Sequence, residues 1–298
     1  MKKIILSLLL LWSTYLTATE IKIVMPYSAG GPNDRITRTI VKHLNNETYK
    51  FVPEYRLGAG GIIAANQVAQ AKNETVLMVT SNAIVNAPVL SPSIVNYNLD
   101  KDFVFIDYLG TEPLLLVVKN DSKINSINDF IKSNNSPMSY GTAGIGTSGH
   151  IAGVILSQNN KNYVHIPYKG SANVVLDLVN GNLQWLLDSE LNVGSFIESG
   201  KLKPIAAYAN KRIANFPKIP TVTESGINDR QFYRWHIVLA NKDADKEIVK
   251  YVAKKLQDSA VKNDLIKLGL DVTKPNLQNF FSNETLKIEK ISKDFTIQ

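Results

Sequence analysis

Cysteine is absent from all 298 residues, and this excludes several classes of protein at once. Disulfide-stapled folds, cysteine-ligated zinc, iron–sulfur clusters and thiol catalysis all require it. The four histidines stand apart in the sequence, without the H-E-x-x-H pair or another spacing typical of metal ligands. No Gly-Lys-Ser/Thr tripeptide occurs, so a Walker A phosphate loop is also excluded. The sequence therefore predicts neither a metal site nor a cofactor.

Arginine is scarce: it contributes six of the 33 basic residues, and the formal net charge is +7. A nucleic-acid surface concentrates Lys and Arg on one face, whereas lysine is spread along this chain and is densest near the C-terminus. We expect a solvated basic surface and no nucleic-acid partner; salt-dependent contacts with phosphate are the alternative. Hydrophobic residues make up 44% of the chain, enough for the cores of one large or two medium domains.

The most apolar run lies at the N-terminus and has the layout of a targeting signal. Lys2 and Lys3 precede an apolar stretch at residues 4–12, and small and polar residues follow up to Thr19. This pattern is typical of a secretory signal peptide, and the run is shorter than the roughly 20 residues of a membrane span. We predict a Sec-type signal over residues 1–19, cleaved near Ala18 or Thr19, and a soluble protein in the periplasm.

Apolar runs and helical periodicities alternate along the rest of the chain. Residues 21–25, 76–80, 114–118 and 138–141 are predicted strands, and segments with apolar residues at helical spacing separate them. Strand–helix alternation of this kind predicts an α/β protein with mostly parallel sheets.

One glycine loop resembles a catalytic motif without completing it. Residues 144–149 match the dinucleotide fingerprint G-x-G-x-x-G, but no acidic residue occurs before Asp177 to bind a ribose. The nucleophile elbow G-x-S-x-G also fails, because Gly149 and His150 follow Ser148. A periplasmic hydrolase using Thr147, Ser148 and His150 is the enzymatic alternative, and we expect the protein not to be an enzyme.

Two glycine loops, at residues 28–34 and 142–148, each lead into a predicted helix. Such turns present unpaired backbone amides and the positive end of the helix dipole, which together bind anions. In the second loop Thr147 can cap the helix and donate its hydroxyl proton. Two opposed helix ends are expected to hold a small carboxylate without any arginine; the alternative is that both are simply tight strand-to-helix turns.

An ordered set of motifs resembles the Bug family, the solute receptors of tripartite tricarboxylate transporters. The first is P-x-x-x-G-G-x-x-D, formed by Pro26, Gly30, Gly31 and Asp34. Further matches in the family's order lie at residues 58–61, 81–82, 139–150, 166–171, 188, 200–202 and 219–226. The similarity covers nearly the whole chain after the signal.

The resemblance implies a two-lobed α/β periplasmic binding protein of type II, which closes on its ligand like a flytrap. The lobes are expected at residues 20–116 and 233–298 for the first and 117–232 for the second, joined by crossings near 114–118 and 232–239. It also implies a small carboxylate ligand, permease subunits in the membrane as partners, and a monomer. A receptor that signals to a sensor kinase is the alternative within the same fold.

By the same resemblance, the glycine loops of both lobes hold the ligand's proximal carboxylate. Asp34 is expected to order its own loop, and Asp188-Ser189-Glu190 replaces the family's usual Asp-Asn. The extra carboxylate would favour a ligand with a distal ammonium or hydroxyl, or face solvent, so dicarboxylates, tricarboxylates, amino acids and aromatic acids stay open. The residues expected to bind the ligand are Tyr27, Gly30, Gly31, Asp34, Ser81, Asn82, Thr142, Ala143, Gly146, Thr147, Ser148, Tyr168, Lys169 and Asp188.

Overall fold

Two five-stranded sheets organise the protein. The computed structural model describes residues 18–133, 136–157, 162–209, 211–227 and 232–295. The first sheet has the order β2-β1-β3-β10-β4 and the second the order β7-β6-β8-β5-β9. The strands are β1 (Thr19–Met25), β2 (Tyr49–Tyr55), β3 (Val76–Ser81), β4 (Phe103–Glu112), β5 (Leu114–Lys119), β6 (Met138–Thr142), β7 (Tyr163–Pro167), β8 (Trp185–Ser189), β9 (Leu202–Tyr208) and β10 (Arg234–Asn241).

The helices cover the faces of these sheets, and the predicted α/β class is confirmed. Within the described residues they are α1 (Pro32–Leu44), α2 (Ile62–Gln70), α3 (Ala83–Leu90), α4 (Leu99–Asp102), α5 (Ile127–Lys132), α6 (Ser148–Ser157), α7 (Ser171–Asn180), α8 (Glu190–Glu198), α9 (Lys246–Leu256), α10 (Ser259–Lys267) and α11 (Phe280–Asp294). The interior strands β3 and β5 are buried along nearly their whole length, as expected of strands that helices cover on both faces. Each sheet with its helices forms one lobe of a two-lobed protein.

Each sheet is mixed: four of its five strands run in the same direction, in line with the expectation of mostly parallel sheets, and one strand runs against them. β1 runs parallel to β2 and β3, and β6 runs parallel to β7 and β8. β10 is antiparallel to β3 and β4, and β5 is antiparallel to β8 and β9. The antiparallel strands are those that enter a sheet from the other lobe, so no crossover helix on that sheet forces them to run parallel.

The chain passes between the lobes at two places in the middle of the sequence. It leaves the first sheet at Glu112 and enters the second at Leu114, with Pro113 between them. It returns after β9 through residues 209–233, of which 210 and 228–231 lie outside the described residues. The sequence placed the end of the first lobe segment at residue 116, two residues inside β5.

The C-terminal helix α11 packs against both lobes. Phe280 and Phe281 at its start contact the first-lobe core, around Tyr108 and Trp235. Ile288 and Ile291 further along are buried in the second-lobe core. α11 therefore connects the lobes by packing on both cores, in addition to the two passages of the chain.

The predicted signal peptide lies mainly at residues 1–17, outside the described residues. Thr19, one of the two expected cleavage positions, is the first residue of β1 and pairs with Tyr49. No helix in the described part of the chain has the length and apolar character needed to cross a membrane.

Candidate ligand site between the lobes

A small cavity lies where the two lobes meet. The volume open to the centre of a water molecule is about 20 Å³, and one ordered water needs roughly 10–15 Å³ on that measure. The enclosed space therefore fits the end of a small molecule, about the size of a carboxylate. Its walls come from both lobes: Tyr27, Gly31, Pro32, Asn33, Ser81, Ala143, Thr147, Ser148, Ser171 and Arg234.

Three helices begin at this cavity. α1 starts at Pro32 after Gly31, α6 at Ser148 after Thr147, and α7 at Ser171. The amides in the first turn of a helix have no acceptor inside the helix, and the helix dipole adds partial positive charge. This arrangement of helix ends would favour an anion, the kind of ligand that the sequence predicts for the glycine loops.

Glycine lets the two lobes approach closely beside the cavity. A Cβ atom on Gly60 of the first lobe would lie 2.1 Å from the carbonyl oxygen of Ile145 in the second. A Cβ atom on Gly170 would lie 2.2 Å from Ser28 Oγ. Real side chains do not tolerate such distances, so the observed contact between lobes depends on these two residues.

Hydrogen bonds join the lobes around the cavity. Ser148 Oγ donates to Asn82 Oδ1 at 2.9 Å, and Asn86 Nδ2 donates to the carbonyl of Gly146 at 2.7 Å. At the exposed rim, Arg35 donates to the carbonyl of Leu191 at 2.9 Å. The lobes are therefore in a closed arrangement.

Arg234 is the charged residue among those that line the cavity, within the part of the chain that the structure describes. It is 7% exposed and forms ion pairs with Asp188 of the second lobe at 2.7 Å and Glu112 of the first at 3.3 Å. Burial lowers the pKa of Arg234, but the charges of the two carboxylates raise it by more, above its ordinary value. The guanidinium therefore stays charged next to the three helix ends.

Glu112 connects Arg234 to a buried histidine. Its Oε1 lies 2.9 Å from His236 Nε2, and His236 is fully buried on β10. Burial raises the pKa of Glu112, but the hydrogen bond and charge of His236 and the charge of Arg234 outweigh it, so the pKa lies below its usual range. Glu112 is thus an ionised anchor for Arg234.

The structure brings six of the fourteen expected ligand-binding residues to the cavity wall. They are Tyr27, Gly31, Ser81, Ala143, Thr147 and Ser148. The cavity wall also contains Pro32, Asn33, Ser171 and Arg234, which were not expected as ligand contacts. Asn33 and Ser171 belong to the motifs that carried the resemblance, so those motifs give a signal for them. Arg234 lies in none of the motifs, and the expectation of a site without arginine did not include it.

The other first-lobe residues have partners in the protein. Asp34 accepts from the Gly30 amide at 2.8 Å, from Arg38 Nε and from the Tyr55 hydroxyl. Asp34 therefore orders its own loop, as expected, and Gly30 contributes an amide to that order. The Asn82 side chain bonds Ser148, the Trp235 amide and the Tyr233 carbonyl, and so ties the lobes together.

The second-lobe residues outside the wall form hydrogen bonds within their own lobe. Thr142 Oγ1 lies 2.6 Å from His165 Nε2, and the Gly146 amide donates to His150 Nδ1 at 3.1 Å. Tyr168 donates its hydroxyl proton to Asp177 at 2.5 Å, and its pKa is raised to about 12 by burial and by that carboxylate.

Lys169 and Asp188 are also absent from the cavity wall. The Lys169 side chain is exposed, and its carbonyl accepts from the Ser28 amide at 3.3 Å. Asp188 accepts from Arg234, the Ser189 amide and Asn192 Nδ2. Glu190, the extra carboxylate of the sequence, accepts from Asn215 Nδ2 at 2.6 Å.

The hydrolase alternative finds no support in this geometry. Ser148 has a single hydroxyl proton and donates it to Asn82 rather than to a histidine base. Among the described residues, no group of three or more His, Asp or Glu side chains is placed to hold a metal ion.

Comparisons with known proteins agree with the fold and the motifs. Residues 36–295 match the model of the tripartite tricarboxylate transporter family receptor. Protein BugT of Bordetella pertussis is 28% identical over 256 residues, which cover 82% of this chain and 78% of BugT. A protein of Pseudomonas sp. strain P51, named for the tcbD-tcbE intergenic region, is 28% identical over 288 residues, 92% of this chain and 85% of that protein.

Two solved structures share the two-lobed architecture. The periplasmic binding protein BugD superposes with a TM-score of 0.85 at 27% identity, covering 94% of this chain and 98% of that chain. MatC from Rhodopseudomonas palustris, solved with bound malate, gives 0.80 at 26% identity, covering 91% and 98%. These are binding proteins, and this chain is a solute-binding protein rather than an enzyme. The resemblance that the motifs carried is confirmed, and the chain belongs to the tripartite tricarboxylate transporter receptor family.

Proposed function

We propose that this protein captures a small carboxylate in the cavity between its lobes and delivers it to a tripartite tricarboxylate transporter. The observation that carries the proposal is a buried arginine facing the ends of three helices in a closed cleft. The bound malate of MatC, a receptor with the same fold, supports a carboxylate as the ligand class.

The binding energy follows from the donors that face the cavity. Each hydrogen bond to a charged group contributes about 1.5–3 kcal/mol, and the amides at the helix starts need no reorganisation to make one. Arg234 supplies a charged hydrogen-bond donor, and its ion pairs with Asp188 and Glu112 hold it in place. Because these donors come from both lobes, a carboxylate stabilises the closed arrangement over an open one.

We further propose that the protein acts in the periplasm, exported by the signal at residues 1–19, as a monomer that docks on permease subunits. Family membership supports this location and partner. The lobe segments that would move against each other are residues 20–112 with 234–279, and 114–208.

The test is a thermal-shift screen of the protein without residues 1–18, unfolded and refolded to remove any ligand retained during purification. We expect a saturable rise in the unfolding temperature with at least one small carboxylate and none with its amide. A compound at 100 times its Kd adds about 2.7 kcal/mol to the free energy of unfolding. Shifts with sugars or amines alone would refute the carboxylate site and leave the receptor fold untouched.

A further inference from the structure

The chain re-enters the first lobe through a short segment that reaches the cavity. In this return segment, residues 232–235, Phe232 is buried in the second-lobe core and Trp235 in the first. Between them Arg234 lines the cavity. Consecutive side chains of a strand point to opposite faces, so Trp235, the next residue of β10, lies on the face turned away from Arg234. The backbone of the return segment therefore sets where Arg234 lies.

Two charged side chains of α11 contact the return segment. Glu284 accepts a hydrogen bond from Trp235 Nε1 at 2.8 Å, and the side chain of Glu284 is 16% exposed. Lys287 Nζ lies 5.4 Å from the centre of the Phe232 ring and 4.9 Å from that of Tyr233, within the range of cation–π attraction. Because a hydrogen bond to a carboxylate is stronger than one between neutral groups, these contacts hold the return segment against α11.

Asn82 connects the return segment to the second lobe. Its Oδ1 accepts from the Trp235 amide at 3.0 Å and from Ser148 Oγ at 2.9 Å, and its Nδ2 donates to the Tyr233 carbonyl at 3.3 Å. Ser148 belongs to the cavity wall, and Asn82 is buried. A series of hydrogen bonds thus runs from Glu284 through Trp235 and Asn82 to the second-lobe wall of the cavity.

Loss of the Glu284 carboxylate would disturb this series at its start. Trp235 is 1% exposed, so its indole N–H would be buried without this acceptor, and an unpaired buried donor costs more than its hydrogen bond contributes. The indole would have to move to find another partner, and its backbone would shift Arg234 and the bond to Asn82 with it. Closure of the lobes, which includes the contact between Asn82 and Ser148, would then be less favourable.

We propose that Glu284 and Lys287 are positioning residues for ligand capture. Both lie outside the cavity wall and act through the return segment, which they hold in the place that the closed cavity requires. The inference rests on the proposed function and adds that α11 controls the affinity of the same site. Open and closed lobes are the two states between which these contacts discriminate.

The first test is calorimetry on the refolded protein with L-malate, succinate, citrate and L-glutamate. For the compounds that bind, we expect Glu284→Ala to lower the affinity on the order of fivefold. Lys287→Met, which keeps the bond between Glu284 and Trp235, should lower it by less. Glu284→Gln retains an oxygen that accepts from the indole and should restore the affinity to within about twofold of that of the unmodified protein.

Glu289→Ala is the matched control, because it removes the same charge from the same helix. Within the described residues, Glu289 forms no hydrogen bond or ion pair with the return segment, and its removal should leave the affinity unchanged. An unchanged affinity in Glu284→Ala, with only a lower urea midpoint, would show a purely structural role and overturn the proposal. An equal loss of affinity in Glu289→Ala would overturn it as well.

Spin labels measure closure with and without a carboxylate. The chain has no cysteine, so nitroxides attach only at Gln70→Cys in the first lobe and Leu176→Cys in the second, both exposed positions. We expect the longer, open distances to be more populated in Glu284→Ala than in Glu284→Gln or Glu289→Ala. If none of the four compounds binds the unmodified protein, the carboxylate function falls. The distances then decide alone, and equal distributions in the three variants would overturn the role of α11.

Discussion

At the scale of single residues, Arg234 shows what a sequence alone does not reveal. Its partners Glu112 and Asp188 lie 122 and 46 positions away along the chain. The pairing of β10 with β4 brings Glu112 beside Arg234, and the contact between the lobes brings Asp188 on β8. The glycine loops were predictable because the residues that form a turn, a helix cap and a helix start are adjacent in the sequence. A lone arginine between aromatic residues carries no such local pattern.

Replacing Arg234 tests its two roles. Arg234→Gln removes the cavity's charge and leaves Asp188 and Glu112 buried without their cation, which costs about 3–5 kcal/mol of stability. We expect loss of carboxylate binding together with a lower midpoint in urea. Arg234→Lys restores the charge without the planar fork and should recover much of the stability and little of the affinity.

Arg35→Gln is the matched control, since Arg35 also donates across the lobes but only to a carbonyl at the exposed rim. It should change the affinity by less than twofold. Full carboxylate affinity in a folded Arg234→Gln protein would contradict the role of Arg234 in the site.

His165 gives the protein a predictable response to acid. Burial, and secondarily the charge of neighbouring His150, lower the pKa of His165 from 6.5 to about 3. A histidine held neutral in the fold binds a proton more readily after unfolding, so its contribution to stability is complete above pH 6.5 and is lost as the pH falls towards 3. We expect the urea midpoint to decline across this window.

The variant His165→Gln separates this effect from general acid unfolding. Glutamine keeps a polar group near Thr142 and cannot titrate. Its midpoint should therefore change less between pH 6.5 and pH 4 than that of the unmodified protein. Parallel curves for the two proteins would contradict the assignment to His165.

At the scale of loops and helices, the sequence predicted the two glycine loops at the cavity but not how the elements meet. The loops at residues 28–34 and 142–148 precede α1 and α6 as expected. The starts of α6 and α7 both lie in the second lobe, and the start of α1 meets them only because the lobes close. The closed contact in turn depends on Gly60 against Ile145. Both residues lie in motifs of the resemblance, but neither segment indicates that the two meet.

Gly60→Ala should block closure while preserving the fold. The new Cβ would lie 2.1 Å from a backbone oxygen of the other lobe, and the positive φ of +62° adds about 1–2 kcal/mol of strain. We expect a large loss of carboxylate affinity and a more open shape by small-angle X-ray scattering. Gly200→Ala, with a φ of +68° and no atom within 4 Å, carries the same strain without the clash and should bind normally. Equal affinity in both variants would show that this contact does not limit closure.

At the scale of the whole molecule, the lobes are connected by a shared helix as well as by the two passages of the chain. α11 places Phe281 against the first core and Ile288 in the second, so the sequence-based assignment of residues 233–298 to one lobe does not describe all of its contacts. Periodicity predicts that such a helix has an apolar face. It does not predict that this face is divided between two cores.

Ile288→Ala tests whether the lobes unfold together. The truncation leaves a cavity in the second-lobe core and should cost about 2–4 kcal/mol. Because α11 also packs on the first lobe, we expect one cooperative transition at a lower temperature by calorimetry. Phe281→Ala, on the other core, should give the same single transition. Two resolved transitions, with only one displaced by each variant, would show independent lobes.

The position of α11 after the other elements of both cores has a consequence for the export proposed above. In a chain exported from its N-terminus onward, residues 280–294 would follow the other segments of both cores, so both cores would remain incomplete until these residues emerged. Stable folding of either lobe inside the translocation channel would thereby be disfavoured. Final packing of the two halves becomes a single late event, and the cleft between them forms only when that event is complete.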